Sequence, residues 1–198
     1  MLCQRHLESK EVQMSISLLS KPEIEFNRNK RVFVKENIIS SKVCNEIIDF
    51  GRNNVVKGIN KYPGLFQISF KTCLLPMDHV IHSVLQDVWD EASNFIGTTI
   101  DFVEPYELKQ YGTGDFFDKH TDNYNSLSKD IDRKITLSIQ LSDDIDYVGG
   151  DLLILSQSYS RKKGSIIAFP SLLTHQVNPI LKGERWSLIS WAWGPQWK

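Results

Sequence analysis

His120-Thr121-Asp122 sets an imidazole and a carboxylate two residues apart. These are the nitrogen and oxygen donors that hold iron, zinc or manganese. In an extended segment, residues i and i+2 project to one side, so both could reach one ion. The surrounding stretch "GTGDFFDKHTDNYN" is rich in glycine, aspartate and asparagine, and would serve equally as a polar turn. A third ligand separates the two readings. His175, in "FPSLLTHQVNPILKGER", is the candidate, at or just before the start of a predicted strand.

Two imidazoles and one carboxylate on one face of an octahedral ion leave three positions open. That is the facial triad of non-heme Fe(II) chemistry, in which a chelating co-substrate and dioxygen enter the open positions. Arg185 lies ten residues after His175, across a turn containing Gly183. If the two flanking strands are adjacent and antiparallel, Arg185 faces the same cavity. A buried guanidinium needs an anion, and its planar fork suits a carboxylate. A dicarboxylate that chelates the metal at one end and meets Arg185 at the other satisfies both demands.

The elements that must position these residues fall into two parts. In the first, "KRVFVKENI" reads as a short strand and "SSKVCNEIIDFG" as a helix capped by Ser40 or Ser41 and stopped at Gly51. "LFQISFKTCLL" reads as strand, and Met77 to Phe95 as one long helix. Its apolar stripe is Val80, Ile81, Val84, Leu85, Val88, Trp89, Ala92 and Phe95, with His79 and His82 on the solvated side. The second part is strand-rich: "IDFVEPYELKQYG", broken near Pro105, then "RKITLSIQLS", "DLLILS", "GSIIAFP", "HQVNPI" and "RWSLISWAW". Ile135, Leu137, Ile139 and Leu141 alternate with Thr136, Ser138 and Gln140. The polar set is either an exposed face or the lining of an internal pocket. On the last strand, Ser187, Ile189 and Trp191 share the side of Arg185. "SRKKG" reads as a solvated hairpin tip.

The expected organisation is one domain. Residues 1–20 form a flexible tail, 21–101 a helical and strand support region, and 102–198 a β core. The expected class is mainly β with flanking helices. A net charge of -1 and the lack of a basic stripe argue against nucleic acid or an anionic membrane as partner. Three separated cysteines without CxxC, and charges where a signal peptide would be apolar, place the chain in the cytoplasm. Met14 is an alternative start.

Tyr111-x-x-Gly114-x-x-Phe117-x-x-His120-x-Asp122, then "YVGGDLLI", then "FPSLLTHQVNPILKGERWSLISW" resemble the 2-oxoglutarate/Fe(II) dioxygenases of the prolyl-hydroxylase type. The final block is most similar to their bacterial PKHD-type branch. The resemblance covers Phe102 to Trp193. It implies a double-stranded β-helix (jelly-roll) core, with Fe(II) on His120, Asp122 and His175 and 2-oxoglutarate on Arg185. Tyr111 and Gln140 would be further co-substrate contacts, and Arg133 would lie near the substrate mouth. It also implies O2 as oxidant, ascorbate as a stimulant, and release of succinate and CO2 as a substrate C–H bond is hydroxylated. Peptidyl proline is the substrate it favours. A free amino acid or other small molecule is the alternative, and a metal-binding interaction module without turnover is the non-enzymatic one. "NNVVKGINKYPGLFQ" and "NYNSLSKDID" are the loops expected to select the substrate.

Overall fold

The structure is a computed structural model that describes residues 31–59, 64–123 and 130–197. The expected tail at 1–20, and parts of both expected substrate loops, lie outside the described residues. What is described is mainly β. Strands β1 (Phe33–Lys35), β2 (Val56–Lys57), β3 (Ile68–Ser69) and β4 (Lys71–Leu74) come first, with helices α1 (Ser41–Asn54), α2 (Ile81–Val84) and α3 (Gln86–Ile96). Then come β5 (Phe102–Val103), β6 (Glu107–Tyr111), β7 (Phe116–His120), β8 (Ile131–Gln140), β9 (Tyr147–Gly149) and β10 (Leu152–Ile154). The last are β11 (Gln157–Ser158), β12 (Ile166–Pro170), β13 (His175–Val177), β14 (Ile180–Gly183) and β15 (Arg185–Pro195).

A major sheet runs in the order β1-β12-β8-β15-β6-β4-β2, with β5 also on β15. A minor sheet runs β11-β10-β13-β7-β3, and β14 pairs with β9. This is the expected jelly-roll arrangement, with strands of residues 31–101 extending both sheets. The long strand β8 divides the molecule. Ile135, Leu137 and Ile139 pack with Ile47, Leu85 and Trp89 in a core beneath the helices. Thr136 and Ser138 face the other way, into a cavity between the sheets. The alternation therefore lines a pocket rather than solvent. A second apolar cluster, including Tyr111, Leu152, Ile167, Phe169 and Val177, closes the inter-sheet space.

Several local expectations are corrected. The Met77–Phe95 helix is two pieces that meet at Leu85 (φ -91, ψ -1), in the sparsely allowed bridge region. Ile81, Leu85, Val88, Trp89 and Ala92 are buried as expected, but Val80, Val84 and Phe95 are exposed. His79 and His82 are half-buried: His79 Nδ1 accepts from Ile81 N, and the His82 ring meets Tyr106 edge-on at 4.9 Å. "LFQISFKTCLL" splits at Phe70 into β3 and β4, which join different sheets. The basic segment "SRKKG" is not a hairpin tip, because β11 and β12 on either side of it belong to different sheets. Arg161 pairs with Asp151, Lys162 with Glu36, and Lys163 donates to Asn45.

Ser40 caps α1, its hydroxyl accepting from Val43 N at 3.3 Å. Gly51 does not stop that helix, which continues to Asn54. Its function is close approach, because a Cβ there would sit 2.4 Å from Leu108 Cδ2 and 2.6 Å from Trp186 Cζ3. Alanine would gain up to about 1 kcal/mol in helix propensity. Both neighbours are fully buried, so the overpacking cost of about 1–3 kcal/mol should win. Gly51→Ala is expected to lower the Tm by a few degrees in a thermal melt, and a raised Tm would contradict this packing.

Candidate active site

His120, Asp122 and His175 come together, all buried, with one donor atom from each lying within 4.8 Å of the others. The two histidines are direct cross-strand partners at the ends of β7 and β13. Each turns its Nδ1 to a backbone carbonyl: His120 to Asp118 O at 2.7 Å and His175 to Leu173 O at 2.9 Å. Donation from Nδ1–H to those carbonyls leaves each Nε2 lone pair aimed at the shared point. His120 Nε2 is 3.5 Å from Asp122 Oδ1, and His175 Nε2 is 3.3 Å from Asp122 Oδ2.

Asp122 follows β7, held by its backbone N–H on Ser171 O. Its Oδ2 accepts from Thr136 Oγ1 at 2.7 Å and from Trp191 Nε1 at 2.8 Å. The carboxylate is thereby fixed in rotation, with Oδ1 left toward His120. Burial opposes ionisation of Asp122, yet His175 and His120 more than offset it and hold the carboxyl well below its ordinary range. Burial pushes the His120 imidazole below its ordinary value despite the opposing pull of Asp122. A carboxylate beside a neutral imidazole is the state that binds a divalent cation.

Trp191 and Thr136 were not singled out as partners of Asp122 in the sequence, although the period-two pattern does put both on the cavity side of their strands. Trp191→Phe keeps the ring and removes the donor to Asp122. It is expected to weaken Mn(II) or Fe(II) binding by roughly 10–100-fold in a metal titration. Unaltered affinity would show that Thr136 alone suffices.

Arg185 faces this group from the other sheet. The sequence predicts that β13 and the arginine strand are adjacent in one sheet. They belong to different sheets and meet across the cavity. Arg185 pairs in register with Tyr111 on β6, and its guanidinium lies 5.4 Å from the Tyr111 ring centre. It is 1% exposed, yet its Nε has no hydrogen-bond partner among the described residues. Its Nη1 has only Ser187 Oγ, at 3.4 Å. Burying an uncompensated cation is costly, so a cavity that keeps one is built around an anion. The donor set and the orphaned fork together fit a metal and a carboxylate co-substrate.

Residues 106–193 match the 2OG-Fe(II) oxygenase superfamily. This stretch, somewhat under half of the chain, is similar to that superfamily. A PKHD-type hydroxylase of Picosynechococcus sp. is 35% identical over 89 residues, covering 43% of this chain and 40% of the relative. One from Idiomarina loihiensis is 33% identical over the same length. The chain thus spans about 40% of the length of the curated relatives it matches. Among solved structures, the viral collagen prolyl hydroxylase of Paramecium Bursaria Chlorella virus-1 superposes with TM-score 0.64 at 19% identity, over 83% of this chain and 97% of that one. A Trichoplax adhaerens prolyl hydroxylase in complex with a hypoxia inducible factor peptide gives TM-score 0.65 at 16% identity, over 83% and 84%. These two likenesses show a shared fold.

Within this β core, the remaining sequence candidates are placed as follows. Tyr111 is buried in the cavity wall beside Arg185, and burial pushes its phenol strongly upward, so it remains a neutral donor. Gln140 is buried opposite Ser187, but it stands outside the cavity lining. Arg133 is neither free nor a plain surface residue. Glu104 holds it through two bonds of 2.7 and 3.0 Å, and it stacks 4.2 Å over Trp191. Gly149 and Gly150 adopt positive φ at the end of β9, where a Cβ on Gly149 would meet Pro179 O at 2.3 Å. Trp186 packs in the helix-side core, Trp191 lines the cavity, and Trp193 donates to Glu104. Lys109 also lines the cavity and was not foreseen. None of the described helices is long and apolar enough to cross a membrane.

Proposed function

We propose that this chain is an Fe(II)- and 2-oxoglutarate-dependent dioxygenase that hydroxylates a substrate C–H bond, forming succinate and CO2. The observation that carries the reading is Arg185, a buried guanidinium with an unsatisfied Nε in the cavity that holds the His-Asp-His cluster. His120, Asp122 and His175 would hold the iron, and Arg185 the distal carboxylate of 2-oxoglutarate, with Tyr111 beside it. Iron and 2-oxoglutarate, when bound, would supply the electrons that activate dioxygen, the oxidant. The protein contributes position and dryness. Thr136 and Trp191 fix the carboxylate ligand, the backbone carbonyls fix both imidazoles, and Leu152, Phe169, Val177 and Ile189 exclude water. Gln140 would act through the packing of β8 rather than by direct contact. Arg133, clamped by Glu104 over Trp191, would shape the mouth.

Proline in a peptide is the favoured substrate, supported by the two prolyl hydroxylases whose fold this chain shares. The test is succinate release over a panel of proline peptides and free amino acids, with mass spectrometry for addition of one oxygen. Coupled, iron-dependent turnover on a member of the panel is expected, with ascorbate sustaining it. Bound iron without succinate from any member would favour a metal-binding module instead.

A further inference from the structure

Resting on the dioxygenase reading above, we infer that Lys109 is a substrate-positioning residue, and that the substrate brings a carboxylate into the cavity close to its reacting carbon.

Lys109 sits in the middle of β6, only 6% exposed, with its side chain among the cavity-lining residues. Its ammonium lies 4.5 Å from the ring centre of Phe70, 5.3 Å from Phe117 and 5.7 Å from Trp191. Among the described residues it makes no hydrogen bond. The one acid within ion-pair reach among those residues is Glu107 Oε2 at 3.4 Å, on a side chain that is one-third exposed and does not line the cavity. Ring contacts offset part of the cost of burying an ammonium, but they leave its donors unused. An apolar side chain would fill this place at less cost.

Charge balance points the same way. Among the described residues, Asp122 is the one carboxylate lining the cavity, and the two histidines, Thr136 and Trp191 already engage it. Fe(II) and Arg185 together would balance Asp122 and the two carboxylates of 2-oxoglutarate, which leaves Lys109 as a further cation in the cavity, its acidic neighbour Glu107 standing outside the lining. Position separates it from the co-substrate's Arg185. Arg185 pairs with Tyr111, whereas Lys109 pairs with Ser187, two residues or about 7 Å along the ladder. Phe117, one of the rings around the ammonium, stacks on His120 with centres 3.8 Å apart. An anion held by Lys109 is therefore near the ligand cluster. A free amino acid, or a residue at a free C-terminus, has a carboxylate so placed. An internal residue of a neutral peptide does not.

The test compares matched acids and amides on the Fe(II)- and 2-oxoglutarate-loaded protein: proline against prolinamide, and a proline-ending peptide with free or amidated C-terminus. Binding is read anaerobically by tryptophan fluorescence, and coupled turnover by succinate. The wild type should prefer the acid by on the order of tenfold to a hundredfold, the worth of a charge-assisted hydrogen bond. Lys109→Met should erase the preference, and Lys109→Arg should keep much of it. Equal binding of acid and amide by the wild type overturns the inference without needing any variant. So does a preference that survives Lys109→Met. A variant that loses 2-oxoglutarate affinity yet still prefers the acid would move Lys109 to the co-substrate. Failure of the wild type to bind 2-oxoglutarate at all would be a different result, removing the dioxygenase reading and this role with it.

Discussion

His175→Ala is expected to reduce iron-dependent succinate formation to background while the protein stays folded. The loss should be large because the three donors act as one unit, and effects within such a unit are not additive. Asp122 and His120 alone would leave the ion two protein donors, and the influence of His175 that keeps Asp122 ionised would disappear. The structural cost should be modest by comparison. The imidazole donates one hydrogen bond, to Leu173 O at 2.9 Å, worth about 1 kcal/mol. The cross-strand pairing of β7 and β13 is carried by backbone. A thermal melt checks the fold, and metal analysis and succinate release check the site. Succinate formation at the wild-type rate in the folded variant would remove His175 from the ligand set.

Arg185→Met should move two quantities in opposite directions. The affinity for 2-oxoglutarate should fall by roughly a hundredfold, since truncating one partner of a buried charge pair costs about 2–5 kcal/mol. The stability of the protein without co-substrate should hold or rise, because Met fills similar space without burying a guanidinium whose Nε is unsatisfied. Titration calorimetry with 2-oxoglutarate gives the first quantity and a melt without ligand gives the second. Unchanged 2-oxoglutarate affinity would take Arg185 out of the co-substrate site. A strongly lowered Tm would make it a structural residue.

The parts of this site that were legible in the sequence are those with a local period. His120 and Asp122 two apart, and Thr136 and Ser138 opposite Ile135 and Leu137, follow from strand alternation. His175 and Arg185 were legible as residue types in order. Their placement was not, because no local pattern says that β13 and β15 belong to different sheets. One long helix is predicted because its apolar stripe continues through Leu85, whereas the backbone turns there. Gly51 reads as a helix stop because glycine near a helix end usually marks one, and its close approach to Leu108 and Trp186 depends on tertiary packing. Lys109 was available in "YELKQY": two before Tyr111, it must share that residue's face, but a lysine in a strand reads first as solvated.

The central claim is that His120, Asp122, His175 and Arg185 form one Fe(II) and 2-oxoglutarate site. Its most direct test is an anaerobic titration of 2-oxoglutarate into the protein with and without Fe(II). The account predicts one equivalent bound, with an affinity that depends on the metal and is lost in Arg185→Met. Binding that ignores the metal, or no binding to the folded iron-loaded protein, would contradict it.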